Sequence, residues 1–469
     1  MGKQIRRLTS AGPNPGKRQE VTFDLEDLRQ ELFEFLRIPS VSARLEHADD
    51  IRRAAEWVVG ALDRAGLEAE LLDTAGHPVV LGEWRGAADN APTVLIYGHY
   101  DVQPPEPLDL WTSPPFEPTL RDGRIYARGA ADDKGQLFLH FKALEEFLTT
   151  RGTLPVNVVV LVEGEEEIAS PNLLRFVEMY RDRLATDAVL ISDSAMFAPD
   201  LPSLLFSLRG MAYFEILVKG SDRDLHSGSY GGAVPNAATI LAEIVSTLHD
   251  SHHRVAVNGF YDQVIEWDDR TREQIRALPF REEAFFEEAG TTSPSGEIGY
   301  STLERLWTRP TCDVNGLLSG YTGQGAKTVL PATATAKVSF RLVPDQDPVR
   351  IGKLLRTHIA RVTPAGAEVD VVELAGGRPW RADLEGPFFE AARRALESTF
   401  GVEPILTGEG ASIPILTDLE RILQARAVLM GFALPGANMH APDEWFPDAH
   451  LRKGIETLIR YYEELGQLL

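Results

Sequence analysis

The sequence predicts an α/β fold: a mixed, largely parallel sheet covered by helices, interrupted by a smaller α+β unit of the ferredoxin-like kind. Three observations predict it. Short runs rich in Val, Ile and Leu at 79–82, 93–97, 156–162 and 187–191 alternate with helical stretches, the pattern of strands buried on both faces. Segments 209–219 and 334–343 instead alternate apolar and polar residues, as strands with one wet face do. The length, 469 residues, exceeds one compact core and suggests two to three units at roughly 150 residues each.

Taken in order, Leu25, Leu28, Leu32, Phe35 and Leu36 share one helical face, with Asp24 placed to cap it and Pro39 closing the segment. Ile51, Ala55, Val58 and Leu62 repeat the pattern up to Gly66. The apolar runs follow, with a helix expected over 134–148. After residue 209 the two alternating strands, with helices near 234–249 and 348–361, give the inserted unit. Residues 250–310 are acidic, aromatic-rich and irregular. Beyond residue 383 come a helix to about 399, a strand at 426–432 and a final helix from about 448. The expected division is 20–208 and 383–469 for the larger domain, with 209–382 inserted.

Composition narrows the partners. Lys and Arg number 47 against 70 Asp and Glu, a net charge of −23, which disfavours nucleic acid and anionic membrane surfaces. The acidic total can also hold a carboxylate cluster around a metal. One cysteine, Cys312, excludes an intramolecular disulfide and a thiolate zinc site and reads as a buried, inert thiol. A reducing compartment fits. No run approaches the ~18 apolar residues of a membrane span. The basic start lacks the apolar stretch of a secretory signal, and Arg6 breaks the myristoylation pattern. Residues 1–20 read as a mobile tail on a cytoplasmic protein.

Chemistry gathers where strands end. The run 93–97 leads into Gly98-His99-Tyr100-Asp101, 156–162 into Glu163-Gly164-Glu165-Glu166-Glu167, and 187–191 into Ser192-Asp193-Ser194. In an open α/β sheet, ligands bind beyond the carboxyl ends of the strands. Asp132-Asp133 precedes the helix at Lys134, and Asn438-Met439-His440-Ala441-Pro442 follows the late strand. Singly, Asp-Asp reads as a helix cap, the glutamates as a solvated loop and His440 as a surface histidine. Together, one rim crowded with acids needs a cation, and His with Asp and Glu suits Zn²⁺, Mn²⁺ or Co²⁺.

The segments GHYDVQP (98–104), ARGAADDKG (127–135), EGEEE (163–167), ISDS (191–194), DLHSG (224–228), FRLVP (340–344), SIP (412–414) and NMHAP (438–442) together resemble the di-metal peptidases of the carnosinase, aminoacylase and glutamate carboxypeptidase type, closest to the cytosolic dipeptidase branch. The resemblance runs from about residue 25 to 465. It implies two divalent ions per subunit, Zn²⁺ first with Mn²⁺ or Co²⁺ as alternatives. One would be held by His99 and Asp193, the other by Glu167 and His440, with Asp132 bridging them; ions ~3.5–4 Å apart can share an activated water. Asp101 would fix the His99 tautomer, and the Asp132–Asp133 peptide would be cis. Glu166 would be the general base, selected by the family's Glu-Gly-x-Glu-Glu pattern.

His226 would stabilise the oxyanion from the partner's lid, the alternative being a loop histidine. Arg341 would grip a free C-terminal carboxylate, the alternative being a solvated arginine beside Lys337 and Ser339. Thr328 and Ser412 would add contacts. The chain departs from its relatives at Gly408-Glu409-Gly410-Ala411-Ser412, where an arginine and paired glycines are common. The implied activity is hydrolysis of a dipeptide by a catalytic domain (20–208 and 383–469) under a lid and homodimerisation domain (209–382), whose closure would exclude water. N-acyl amino acid deacylation or carboxypeptidase action on the same scaffold is the alternative. A phosphoesterase lacks its phosphate-cradling Gly-rich loop here, and a non-enzymatic relative would have lost ligands that this chain retains.

Overall fold

A computed structural model describes residues 24–410 and 413–468; the predicted tail at 1–20 and Ser412 lie outside them. A six-stranded sheet runs in the order Glu68–Leu72, Val79–Trp84, Asn157–Glu163, Thr93–His99, Ala188–Ile191, Arg426–Leu429. Its first two pairings are antiparallel and the remaining three parallel. Every residue of Thr93–His99 and of Ala188–Ile191 is buried. Successive side chains point to opposite faces, so both faces are covered. Leu25–Leu36, Ala48–Arg64, Lys134–Arg151, Pro387–Phe400 and Asp448–Leu468 supply helical cover. Asp24 caps the first of them, accepting from the amides of Glu26 and Asp27, and Gly66 follows the second at φ +89°.

The inserted unit is an antiparallel sheet ordered Thr311–Ser319, Thr333–Leu342, Gly210–Lys219, Glu368–Gly377. With helices Ala237–Ser246 and Pro348–Val362 the chain order is βαββαβ, the ferredoxin-like motif. Phe214, Ile216, Val338 and Phe340 face Ile240, Ile244, Leu355 and Ile359 in a core separate from that of the larger sheet. The sequence shows only the two central strands. The outer two are edges whose exposed residues and β-bulges, at Val314/Gly316 and Glu373/Ala375, erase the alternation.

Residues 250–310 contain three short helices, Asp269–Arg276, Glu282–Glu288 and Thr302–Trp307. Ile275, Leu303 and Trp307 form a small core with Phe206, which belongs to strand Ser203–Leu208. That strand pairs with Trp380–Arg381 and, in parallel, with Ile405–Glu409.

Candidate metal centre

His99 is the last residue of its strand and is wholly buried. Its Nδ1 faces Asp101, 3.1 Å from the backbone oxygen and 3.4 Å from Oδ1. Asp101 also accepts from the amides of Glu166 (3.2 Å) and Glu167 (3.1 Å), so one carboxylate sets both the His99 ring and the turn bearing two acids. The remaining acids of that turn are engaged elsewhere. Glu163 accepts from Tyr97 Oη (2.6 Å) and Ser170 Oγ (2.8 Å), and Glu165 from the His77 amide and Asn172. Glu167 faces His440, while among the described residues the Glu166 carboxylate has no hydrogen bond.

Asp132 lies at the centre, its peptide with Asp133 cis. His99 Nε2 is 3.1 Å from Asp132 Oδ1 and 3.8 Å from Asp193 Oδ2. His440 Nε2 is 2.8 Å from Asp132 Oδ2 and 3.2 Å from Glu167 Oε2. Two groups result, His99–Asp132–Asp193 and Asp132–Glu167–His440, each with its ligand atoms within 4.8 Å of one another. These residues fit two divalent cations. His99 Nε2 is buried with no hydrogen-bond partner of its own, and the donor set of imidazole and carboxylate is that of a two-ion site sharing one bridging acid.

The electrostatics show the same need. Burial opposes charge on His99, yet its contacts with Asp101 and Asp132 hold the imidazole protonated well above its usual range. Contacts with Asp132 and Glu167 push His440 to about 10. Asp132 is held low by the two histidines against the effect of its burial. Burial, then the Asp132 charge, raises Asp193 to about 7. Protons thus stand in for cations.

Glu444, which lies outside the motifs above, fixes the loop carrying Asp132. Its carboxylate accepts from the amides of Gly129 (3.0 Å), Ala131 (2.8 Å) and Asp132 (3.1 Å) and from Arg128 Nη1 (2.7 Å). Both side chains are almost fully buried. Its sequence signal is an acid set directly before the apolar strand Trp445–Pro447. Gln103 Nε2 donates to Glu167 Oε2 at 2.8 Å.

The structure does not bring every predicted residue to the cluster. His226 is exposed on a ribbon in which Leu225–His226 pairs with Val329–Leu330, and its Nδ1 accepts from the Gly228 amide at 3.0 Å. Thr328 adjoins it, its carbonyl accepting from the Ser227 amide. Neither side chain hydrogen-bonds to a ligand residue. Arg341 lies on the partly exposed side of its strand, lining a separate cavity with Arg209. At Gly408 a Cβ would stand 2.6 Å from Trp307 Cβ, so Trp307 closes this position to a side chain.

An α/β sheet delivering two ligand triads that share one carboxylate defines a di-metal hydrolase. The profile of peptidase family M20/M25/M40 matches residues 95–464, and the chain belongs to that family; it is a metallopeptidase. It is 30% identical over 447 residues to the Cys-Gly metallodipeptidase dug1 of Schizosaccharomyces pombe, covering 92% of this chain and 94% of that protein. Among solved structures it resembles the M20 family metallo-carboxypeptidase Sso-CP2 of Sulfolobus solfataricus (TM-score 0.83, 34% identity, 94% of this chain and 99% of that one). Human carnosine dipeptidase 1 is also similar (TM-score 0.78, 28% identity, 94% and 96%).

Proposed function

We propose that the chain hydrolyses dipeptides with a free C-terminal carboxylate, with Glu166 as general base. The observation that carries this reading is the unbonded Glu166 carboxylate beside two triads joined through Asp132. When bound, two divalent ions, Zn²⁺ foremost with Mn²⁺ or Co²⁺ as alternatives, supply Lewis-acid activation of a water and of the scissile carbonyl. His99 and Asp193 would hold one ion, Glu167 and His440 the other, and Asp132 both. Asp101 holds the His99 ring. Burial, with Asp193, Asp132 and Glu167 as neighbours, raises the Glu166 carboxyl well above the usual range. It takes the proton of the attacking water and passes it to the leaving amine. Arg341 binds the substrate's carboxylate, with Thr328 and Ser412 as further contacts.

Residues 20–208 and 383–469 form the catalytic domain and 209–382 the lid; two separate hydrophobic cores support that division. The lid pairs two subunits, so that His226 of one serves the oxyanion of the other. In support, strand Thr311–Ser319 is a sheet edge exposing Val314, Leu317 and Leu318. A cytoplasmic location fits the single buried free thiol; no described helix is long and apolar enough to cross a membrane. The likeness to Sso-CP2, named a carboxypeptidase, favours removal of one C-terminal residue from longer peptides as the second reading, with N-acyl amino acid deacylation beside it.

Competitive hydrolysis of dipeptides, tripeptides and N-acetyl amino acids by protein loaded with Mn²⁺ or Zn²⁺, read by mass spectrometry, tests this. Loss of dipeptides alone, abolished by a chelator, is expected; loss of the acetylated set instead would overturn the substrate class. Glu166→Gln should cut turnover by about 10²–10⁴-fold with metal content kept, and unchanged turnover would discard the base assignment.

A further inference from the structure

A cavity of about 620 Å³ is lined by Arg209, Arg305, Arg309 and Arg341 together with His249 and His253. Two of the four guanidiniums are satisfied within the fold. Arg309 forms a two-pronged pair with Glu297 (2.7 and 2.8 Å), and Arg305 donates to the carbonyls of Glu297 and Ser295. The other two are not. Arg209 is only 9% exposed, its Nε is sealed from solvent without a partner, and among the described residues its guanidinium makes no hydrogen bond or ion pair. Arg341, whose strand position pairs with Met211 two residues on from Arg209, also makes no side-chain hydrogen bond or ion pair among the described residues.

Burial, then the neighbouring Arg341 charge, depresses Arg209 to about 10. Asp313, which lines the same cavity, and Glu409 oppose that repulsion, but among the described residues neither forms an ion pair with Arg209, which leaves its guanidinium able to take an anion. The chain on the other side of Arg209 is closely packed against it. The backbone at Gly410 lies so close that a Cβ there would stand 2.8 Å from Arg209 Nη2, and the Arg209 amide donates to the Glu409 carbonyl. Arg209 therefore sits between Arg341 and the segment leading to Ser412, both assigned above to substrate.

We propose that Arg209 is a further substrate-binding residue, gripping the C-terminal carboxylate of the peptide together with Arg341. This rests on the reading of Arg341 as the carboxylate residue and on closure of the lid over the metal centre, since none of the candidate metal ligands lines this cavity. The cavity, larger than a carboxylate, leaves room for the side chain of the departing amino acid. Gly410, lacking a side chain, leaves room for the Arg209 guanidinium.

The test compares a dipeptide as free acid and as C-terminal amide, using metal-loaded wild type, Arg209→Gln, Arg209→Lys and Arg341→Gln. Calorimetric titration with the free amino acid product gives a readout independent of turnover. Wild type should prefer the acid. Arg209→Gln should raise KM for the acid about ten- to hundredfold, as loss of a charged hydrogen bond does, and weaken the product alike. Its kcat/KM for the acid should fall by that factor more than for the amide, so the preference collapses; Arg209→Lys should retain part of it. An equal loss on acid and amide in both Arg209 variants would make the residue structural and overturn the proposal. If wild type itself does not discriminate, and Arg341→Gln changes nothing, the reading of Arg341 fails first and the proposal with it.

Discussion

Glu163 closes the strand that delivers Glu166 and Glu167, but its carboxylate turns inward. Oε1 accepts from Tyr97 and Ser170, while Oε2 is buried with no partner. Burial raises its pKa from 4.5 to about 8. Between those values the folded chain holds a proton that the unfolded chain releases, so this residue's contribution is full below pH 4.5 and is lost as pH rises through 8. Glu163→Gln should leave the melting temperature of the metal-free protein nearly unchanged at pH 5 and stabilise it above pH 8 by on the order of a few kcal/mol; a parallel shift at both pH values would refute this. At this scale the candidate ligands His99, Glu167 and Asp193 stand out because they follow directly on apolar runs, Asp132 because it precedes a helix, and His440 because it follows the last strand. Arg209 and Glu444 do not, because a buried charge among apolar residues reads like any other charge until its neighbours are known.

Elements transmit that placement. The helix Lys134–Arg151 begins at the Asp132–Asp133 pair, and Lys134 anchors it by donating to the carbonyls of Phe35 and Ile38. Glu444 ties the loop before this helix to the turn after His440, so the two halves of the larger sheet's domain share one buried carboxylate. Glu444→Gln would set an amide against those N–H donors and leave Arg128 without its charge partner. Metal affinity should fall about 10–100-fold in competition titrations with a chromophoric chelator; an unchanged affinity would show that the loop holds itself. In helices with a capped, continuous apolar face the start is legible to the residue, as at Asp24, while the end of Leu25–Leu36 falls short of the expected stop at Pro39. Strands Glu68–Leu72 and Ile405–Glu409 are not legible, being short and mixed in burial.

For the whole molecule, the exposed ribbon holding His226 and the bare edge Thr311–Ser319 belong together if two subunits meet through the lid. Leu317→Lys with Leu318→Lys should then convert a dimer to a monomer by light scattering and abolish turnover while metal content persists. Mixing His226→Ala with Glu166→Gln subunits should restore roughly a quarter of wild-type activity, since half the dimers are mixed and each holds one intact site. No recovery in demonstrably mixed dimers would place His226 outside the reaction. The two ligand triads also differ in when they come to exist. His99, Asp132 and Asp193 all lie in the first 200 residues, whereas His440 follows Asp132 by 308 positions. During synthesis from the N-terminus a single-ion pocket can assemble early, while the second waits for nearly the entire chain to leave the ribosome. The two-ion site proposed above is therefore complete only when synthesis is nearly finished, by the order of its own residues.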